Sequence, residues 1–290
     1  MKQAILITAY KNIDQIIQII DYFDSDFEFY IHIDKKSKLD LTPLTGITDK
    51  KVSVYNEYSI NWGGLNHLKA ILLLANEALK NDENTFFHLI TGEDYPCKSL
   101  SSFHNSLDKS KDYIDFAEMP RKDWPENGGM DRIAYYNFYD LFNAKKMGRL
   151  INLIIRIQKI LGLKRAYSPH FPKLYGGSTY WSLSRKTLQY VMDYTAGNKH
   201  LFDRMKFTFC AEEMYFQTIL LDSPFAHNLI NDNLRYIDWI SGRGGKPAFL
   251  DASDFSNMMA SNGLFARKFG TNEKSVELKN LLILHLKSDK

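Results

Sequence analysis

Apolar runs and helical-period stretches alternate along the first 120 residues. Residues 4–8 form a short buried-strand run, and Ile13, Ile16, Ile17, Ile20 and Phe23 then recur at helical spacing. Residues 27–33, rich in β-branched and aromatic side chains, read as a second strand, and residues 52–55 as a weaker third. Leu68, Ile71, Leu72, Ala75 and Leu79 mark one face of a helix over 65–79. A strand at 86–90, a short helix at 99–107 capped by Ser99 and a strand at 113–116 complete the series. Such alternation predicts an α/β fold, a mostly parallel central sheet flanked by helices, with ligands outside the carboxyl ends of the strands.

The second part of the chain is less regular. Residues 148–163 are strongly apolar with a narrow stripe of Arg149, Asn152, Arg156 and Lys159. Two explanations stay open for it, a core helix or a helix lying on a membrane surface. Helices are also expected at 184–195, with Ser184 as N-cap, at 212–221, with two acids in the first turn, and at 276–286. Residues 241–247 read as a loop. With no internal repeat, low-complexity linker or composition break, residues 1–290 are expected to form one continuous domain.

Charge and cysteine content narrow the class. Lys plus Arg is 37 against 34 for Asp plus Glu, a net +3, which argues against a dedicated nucleic-acid binder. Cys97 and Cys210 cannot build a disulfide framework, so reduced thiols in a reducing compartment are expected. The apolar run after Met1-Lys2-Gln3 is too short for the core of a secretory signal. No stretch reaches the roughly 18 apolar residues of a membrane span. The expectation is a soluble cytoplasmic protein.

Candidate chemistry sits first at strand ends. His32 and Asp34 are two residues apart at the end of 27–33, and Asp34 falls where a nucleotide would lie. Asn61-Trp62-Gly63-Gly64 precedes a helix whose free N-terminus would suit a phosphate or a carbonyl. Gly92-Glu93-Asp94 follows the fourth strand as a catalytic loop would. Each also has a plain structural explanation, as a turn into the next element. Asp24-Ser25-Asp26 precedes its strand and is expected to cap a helix turn, not to hold a cation. Histidine and cysteine spacings match no metal motif, and Gly-x-Gly-x-x-Gly and the phosphate-binding loop are absent, so no obligatory metal is expected.

Seven ordered segments carry a resemblance. They are Tyr30-Ile31-His32-Ile33-Asp34-Lys35-Lys36-Ser37, Trp62-Gly63-Gly64, Gly92-Glu93-Asp94-Tyr95-Pro96, Gly177-Ser178 with Trp181, Ala211-Glu212-Glu213 with Phe216-Gln217-Thr218, Arg235-Tyr236-Ile237-Asp238-Trp239 and Phe265-Ala266-Arg267-Lys268-Phe269. In this order, from residue 4 to about 270, they resemble the Core-2/I-branching N-acetylglucosaminyltransferase and peptide O-xylosyltransferase family, glycosyltransferase family 14. The resemblance implies a GT-A-type fold, with a nucleotide-sugar-binding half over 1–120 and an acceptor-binding and catalytic half over 121–290. It implies inverting, metal-independent transfer of a sugar, N-acetylglucosamine or xylose, from a UDP-sugar donor to a glycan or lipid-linked glycan acceptor.

The same resemblance distributes roles. Glu213 matches the general base, and Arg235 and Lys268 match the cations on the donor diphosphate. His32, Asp34, Trp62 and Gly63 fall near the nucleotide, and Glu93, Asp94, Ser178, Trp181 and Trp239 near the donor and acceptor pocket. Tyr215 is a further candidate sugar wall. Residues 235–268 hold five basic and three acidic side chains, a local excess where a diphosphate would need it. Animal members have Pro-Asp-Glu where this chain has Ala211-Glu212-Glu213, and they carry an anchor, a stem and disulfides. The chain resembles the bacterial members, expected in the cytoplasm or at the inner face of the cell membrane, in surface polysaccharide synthesis. The altered setting of Glu213 leaves a competing reading open, a relative that binds a glycan or nucleotide sugar without transferring it.

Overall fold

The computed structural model describes residues 2–166 and 173–288. Twelve strands are described, in chain order: β1 (Lys2–Ala9), β2 (Phe27–Ile33), β3 (Val52–Tyr55), β4 (Asn84–Thr91), β5 (Asp94–Pro96), β6 (Asp112–Ile114), β7 (Ala117–Glu118), β8 (Tyr175–Gly176), β9 (Trp181–Ser184), β10 (Leu229–Ile230), β11 (Arg235–Ile237) and β12 (Phe265–Arg267). Seven make the central sheet, in the order β10-β6-β9-β4-β1-β2-β3. β1, β2, β3 and β4 run parallel, while β9 is antiparallel to both β4 and β6. A small sheet, β11-β12-β5, and a pair, β7-β8, complete the strands. The expected α/β class with a mostly parallel sheet is what forms.

β1 shows why the parallel strands read as unbroken apolar runs. Ala4 and Leu6 pack on one side with Leu68, Ile71 and Ala75 of the helix Leu65–Leu79. Ile5 and Ile7 pack on the other with Ile16, Ile19 and Ile20 of the helix Ile13–Tyr22. With both faces covered, polar alternation is lost. Trp181 and Phe216 belong to the first layer, and Phe103, Phe265 and Leu278 to the second.

Three local expectations change. Residues 212–221 are not one helix: a tight turn at Ala211–Glu213 is followed by the helix Tyr215–Leu221, with Met214 at φ −130° breaking the two. The short helix expected at 99–107 forms, but as a wide π-type turn over Ser102–Ser106, closed by Leu107 N–H donating to the Ser102 carbonyl at 3.0 Å. The helix expected over 148–163 is shifted to Ala144–Ile160, and of its residues only Ile151 and Gln158 are buried, so a core helix is excluded. Among the described residues no helix is long and apolar enough to cross a membrane.

Candidate active site

Glu213 is presented by a pinned turn. Cys210, at φ 51°, takes the left-handed conformation that an L-residue adopts only under constraint. Its N–H donates to the Gly63 carbonyl at 3.0 Å, and the Glu213 N–H donates to the Cys210 carbonyl at 3.1 Å. From the other side, Gly177 N–H donates to the Glu213 carbonyl at 2.8 Å. A Cβ on Gly177 would stand 1.8 Å from the Asp115 carbonyl oxygen, so only glycine brings this N–H close enough. Gly177→Ala is expected to cost about 1–3 kcal/mol in stability and to lower turnover by displacing Glu213. Urea unfolding and a rate measurement on the same preparation check this.

The Glu213 carboxylate is recessed, 28% exposed, and Arg132 Nη1 donates to its Oε2 at 2.6 Å. Burial pushes the carboxyl up to about 7, the neighbouring Glu212 charge adds to that, and Arg132 opposes it. The Arg132 guanidinium lies 3.9 Å from the Trp124 ring centre, a cation–π seat that fixes its plane. Trp124 in turn needs bare backbone beside it, since a Cβ on Gly129 or Gly176 would meet the ring at 2.4 or 2.8 Å. Glu212 points the other way. Its Oε1 accepts from His67 Nδ1 at 3.0 Å, and His67 Nε2 lies 3.1 Å from Thr8 Oγ1 at the carboxyl end of β1. This line of contacts joins the Glu213 turn to the sheet edge where ligands lie in open α/β folds.

A second group gathers after β1 and β4. Glu93 is paired with Lys11 at 2.8 Å and with Arg267 at 3.5 Å. Lys268 follows Arg267, with its ammonium 4.2 Å from the Phe249 ring centre. Burial depresses the Lys268 pKa; Glu93 opposes this, and Arg267 and Lys11 push it further down. The two groups are linked through Gly177, Ser178 and Tyr180, because the Arg267 guanidinium lies 5.4 Å from the Tyr180 ring centre.

Several expected ligand contacts are corrected. Arg235 is buried and cannot reach a diphosphate. The β4–β9 ladder ends at His88 and Ser182, and just beyond it Arg235 Nη2 donates to the carbonyls of Leu89 and Trp181 at 2.8 and 3.1 Å. Its Nη1 donates to Ser182 Oγ at 2.8 Å, and burial lowers its pKa to about 10. Arg243 is likewise committed, to Asp238, Asp251 and Asp254 at 3.0, 2.6 and 2.6 Å. Arg267 is held in turn by Glu93 and Asp94, at 3.5 and 2.9 Å, so the local cation excess reduces to Lys268 and Lys246.

Asp94 is fully buried: its Oδ1 accepts from Arg267 at 2.9 Å across β5 and β12, and its Oδ2 from Thr91 N–H at 2.5 Å. It braces the loop and does not line a pocket. Trp181 and Tyr215 are core side chains and wall no sugar site. His32 is fully buried, accepts from Tyr58 N–H at 3.1 Å through Nε2 and is held down to about 4 by burial. It supports the Tyr58 loop from below.

Other expectations fall on loops between the regular elements. Asp34 Oδ1 accepts from the N–H groups of Lys36 and Ile60, both at 3.0 Å, so it organises the loops after β2 and β3. Trp62 is 66% exposed and meets Phe209 edge-on at 5.1 Å. Gly63, at φ 80°, leaves room for that Phe209 ring. The helix Leu65–Leu79 does not offer a free N-terminus: Asp140 accepts from Leu65 and Asn66 N–H at 2.9 and 3.2 Å. Ser178 is tied to Asp115 through its N–H and to Asn233 through its hydroxyl. Trp239 is exposed on the loop beside Asp238.

Among the described residues, Asp24, Asp26 and His104 lie close enough together to share a cation, the two acids just before β2 and so at the amino end of that strand. Asp24 caps no helix end there; its Oδ1 accepts from Asp26 N–H at 3.0 Å. Sequence reasoning missed Arg132, His67, Lys11 and Asp140. Each is an isolated charged or polar residue, brought to its partner by the tertiary fold, and Arg132 lies 81 positions from Glu213. The one local signal was for His67, three residues past the Trp-Gly-Gly segment.

The Core-2/I-Branching enzyme family profile matches residues 4–260. A xylosyltransferase of Ciona intestinalis is 23% identical over 247 residues, 82% of this chain and 26% of that protein. Xylosyltransferase 2 of Rattus norvegicus is 25% identical over 303 residues, 96% of this chain and 32% of that protein. The chain thus spans about a quarter to a third of the length of these curated relatives. The solved mouse xyloside xylosyltransferase 1, in its apo form, superposes with a TM-score of 0.37 at 10% identity, covering 94% of this chain and 98% of that one. With its profile matched over most of its length, the chain belongs to the Core-2/I-Branching enzyme family.

Proposed function

We propose that the protein is an inverting glycosyltransferase that moves a sugar from a UDP-sugar to a hydroxyl of a glycan acceptor, with Glu213 as general base. The observation that carries this reading is the Glu213 carboxyl, recessed, poised near 7 by burial and held in one orientation by Arg132. A base of that strength takes a proton from a hydroxyl near neutral pH as the new bond to the sugar C1 forms. One carboxylate on the acceptor side suffices for inversion, which yields a β-glycoside from an α-linked donor. The leaving UDP takes the displaced electron pair, and Lys268, next to the Lys11–Glu93–Arg267 cluster, meets the developing charge. Of the two cations first expected on the diphosphate, Lys268 keeps the role in this proposal and Arg235 does not.

Metal-independent transfer is part of the proposal, supported by the Lys268 ammonium beside this ion-pair cluster. The names of the relatives support xylose as donor sugar, with N-acetylglucosamine the second choice. A cytoplasmic role in assembling bacterial surface polysaccharide remains the biological setting proposed.

UDP release measured over a panel of UDP-sugars in EDTA, with and without glycan acceptors, tests the reading. Acceptor-dependent release from one donor is expected. Release that requires Mn²⁺ would overturn the metal-independent part, and binding of UDP-sugar without any release would leave a binding protein. Lys268→Ala is expected to weaken UDP binding about 10–100-fold, the worth of a charge-assisted contact, as read by calorimetry.

A further inference from the structure

The helix Ala144–Ile160 turns its apolar side to solvent. Leu150, Leu153, Ile157 and Ile160 recur at helical spacing on one arc, with Leu161 continuing it past the helix end. All five are exposed, Ile160 by 74%. Arg149 and Arg156 run along one edge of this arc, with Lys145 in the turn before the break at Met147 (φ −126°), while Ile151 and Gln158, beyond the other edge, seat the helix on the protein. Residues 144–164 contain six basic side chains and no acid, so the rest of the chain sums to −3 against a total of +3. Among the described ion pairs only Lys159 of this segment is engaged, with Asp131 at 2.5 Å. An exposed apolar arc edged by unpaired cations matches an anionic lipid surface in both hydrophobicity and charge.

We propose that this face docks the protein on an anionic lipid bilayer. The helix lies in the interface plane, with Leu153, Ile157 and Ile160 among the acyl chains and the basic edge against the headgroups. Its seating gives the docking a direction. Gln158 clamps the Tyr136 backbone, accepting from its N–H at 2.8 Å and donating to its carbonyl at 3.0 Å. Arg165 N–H donates to the Ala134 carbonyl at 2.8 Å, at the end of the helix Met130–Ala134 that carries Arg132. Docking therefore brings the element that holds Glu213 toward the bilayer, where a lipid-linked acceptor would present its hydroxyl. The membrane contact itself does not depend on the transfer reaction.

The test is co-sedimentation of the whole chain with vesicles of phosphatidylcholine containing about one-third phosphatidylglycerol, against vesicles of phosphatidylcholine alone. Binding to the anionic vesicles, weak binding to the neutral ones and release by high salt are expected. The triple variant K145E/R149E/R156E should lower partitioning by about 100-fold, three basic residues each contributing roughly fivefold. The variant L153S/I157S/I160S should lower it by about tenfold or more. Both keep the thermal unfolding of the parent and its UDP release on a soluble acceptor. Equal binding to neutral vesicles, or none to anionic vesicles at low salt, would overturn the proposal. So would self-association of the parent that L153S/I157S/I160S abolishes, since a second copy would then occupy the face.

Discussion

Glu213→Gln is expected to lower turnover by about 1000-fold, the scale of a lost general base, while UDP affinity stays within about twofold because the amide does not touch the diphosphate cations. UDP-release kinetics and calorimetry on the same preparation check the two halves. The substitution carries a second signature in stability. A carboxyl held near 7 when folded takes up protons that the unfolded chain releases at its ordinary 4.5. Between those values the folded state binds the extra proton, so stability falls as pH rises through about 4.5 to 7. Glutamine mimics the neutral form. The variant should match the parent at pH 4 and exceed it by up to about 3 kcal/mol at pH 8. Full turnover in the variant would remove Glu213 from the mechanism, and a stability difference independent of pH would mean that the carboxyl is not strained.

Arg132→Met should move the acid limb of kcat/KM to higher pH. Arg132 is the cation that opposes the upward push on Glu213, so without it the carboxyl titrates above about 7. A shift of about 1–2 pH units is expected, with activity at pH 7 down about tenfold and largely regained at pH 9. A residue that only supported the fold would lower the rate equally at every pH. Arg132→Lys should keep most of the charge effect but lose the flat seat on Trp124, falling between parent and Met. A pH profile of the three proteins, with circular dichroism to show that each is folded, decides the matter.

The first half of the fold was legible residue by residue. β2, β3 and the helix Leu65–Leu79 lie where their patterns place them, because runs rich in β-branched and aromatic residues and a clean helical stripe are local signals of a strand and of a helix with one buried face. β9 was not legible. Trp181–Ser184 is four residues long, and it earns its place only by lying antiparallel between β4 and β6, far away in sequence. The break at Met214 was hidden for the same reason: two acids before an apolar stretch read as a helix start, and only the contacts of Cys210 with Gly63 and of Gly177 with Glu213 impose a turn.

The site divides along the same line. Glu213, Glu93 and Lys268 could be proposed from the sequence because they sit in short motifs whose order along the chain carries information. Arg235 sat in such a motif too, yet motif membership does not state which way a side chain points. Its guanidinium is spent inside the protein, bridging the point where β4 and β9 part.

What the amino-acid order determined by itself was the α/β class, the family and which segments are candidates for the chemistry, all of which follow from local pattern and motif order. What only the tertiary structure decided was which charged groups are free to act. Arg132 finds Glu213, Asp140 closes a helix end and the basic helix over 144–160 turns its apolar side outward. Those outcomes depend on burial and on partners distant in sequence, and an ionisable group acquires its strength and its reach only from the neighbours the fold gives it.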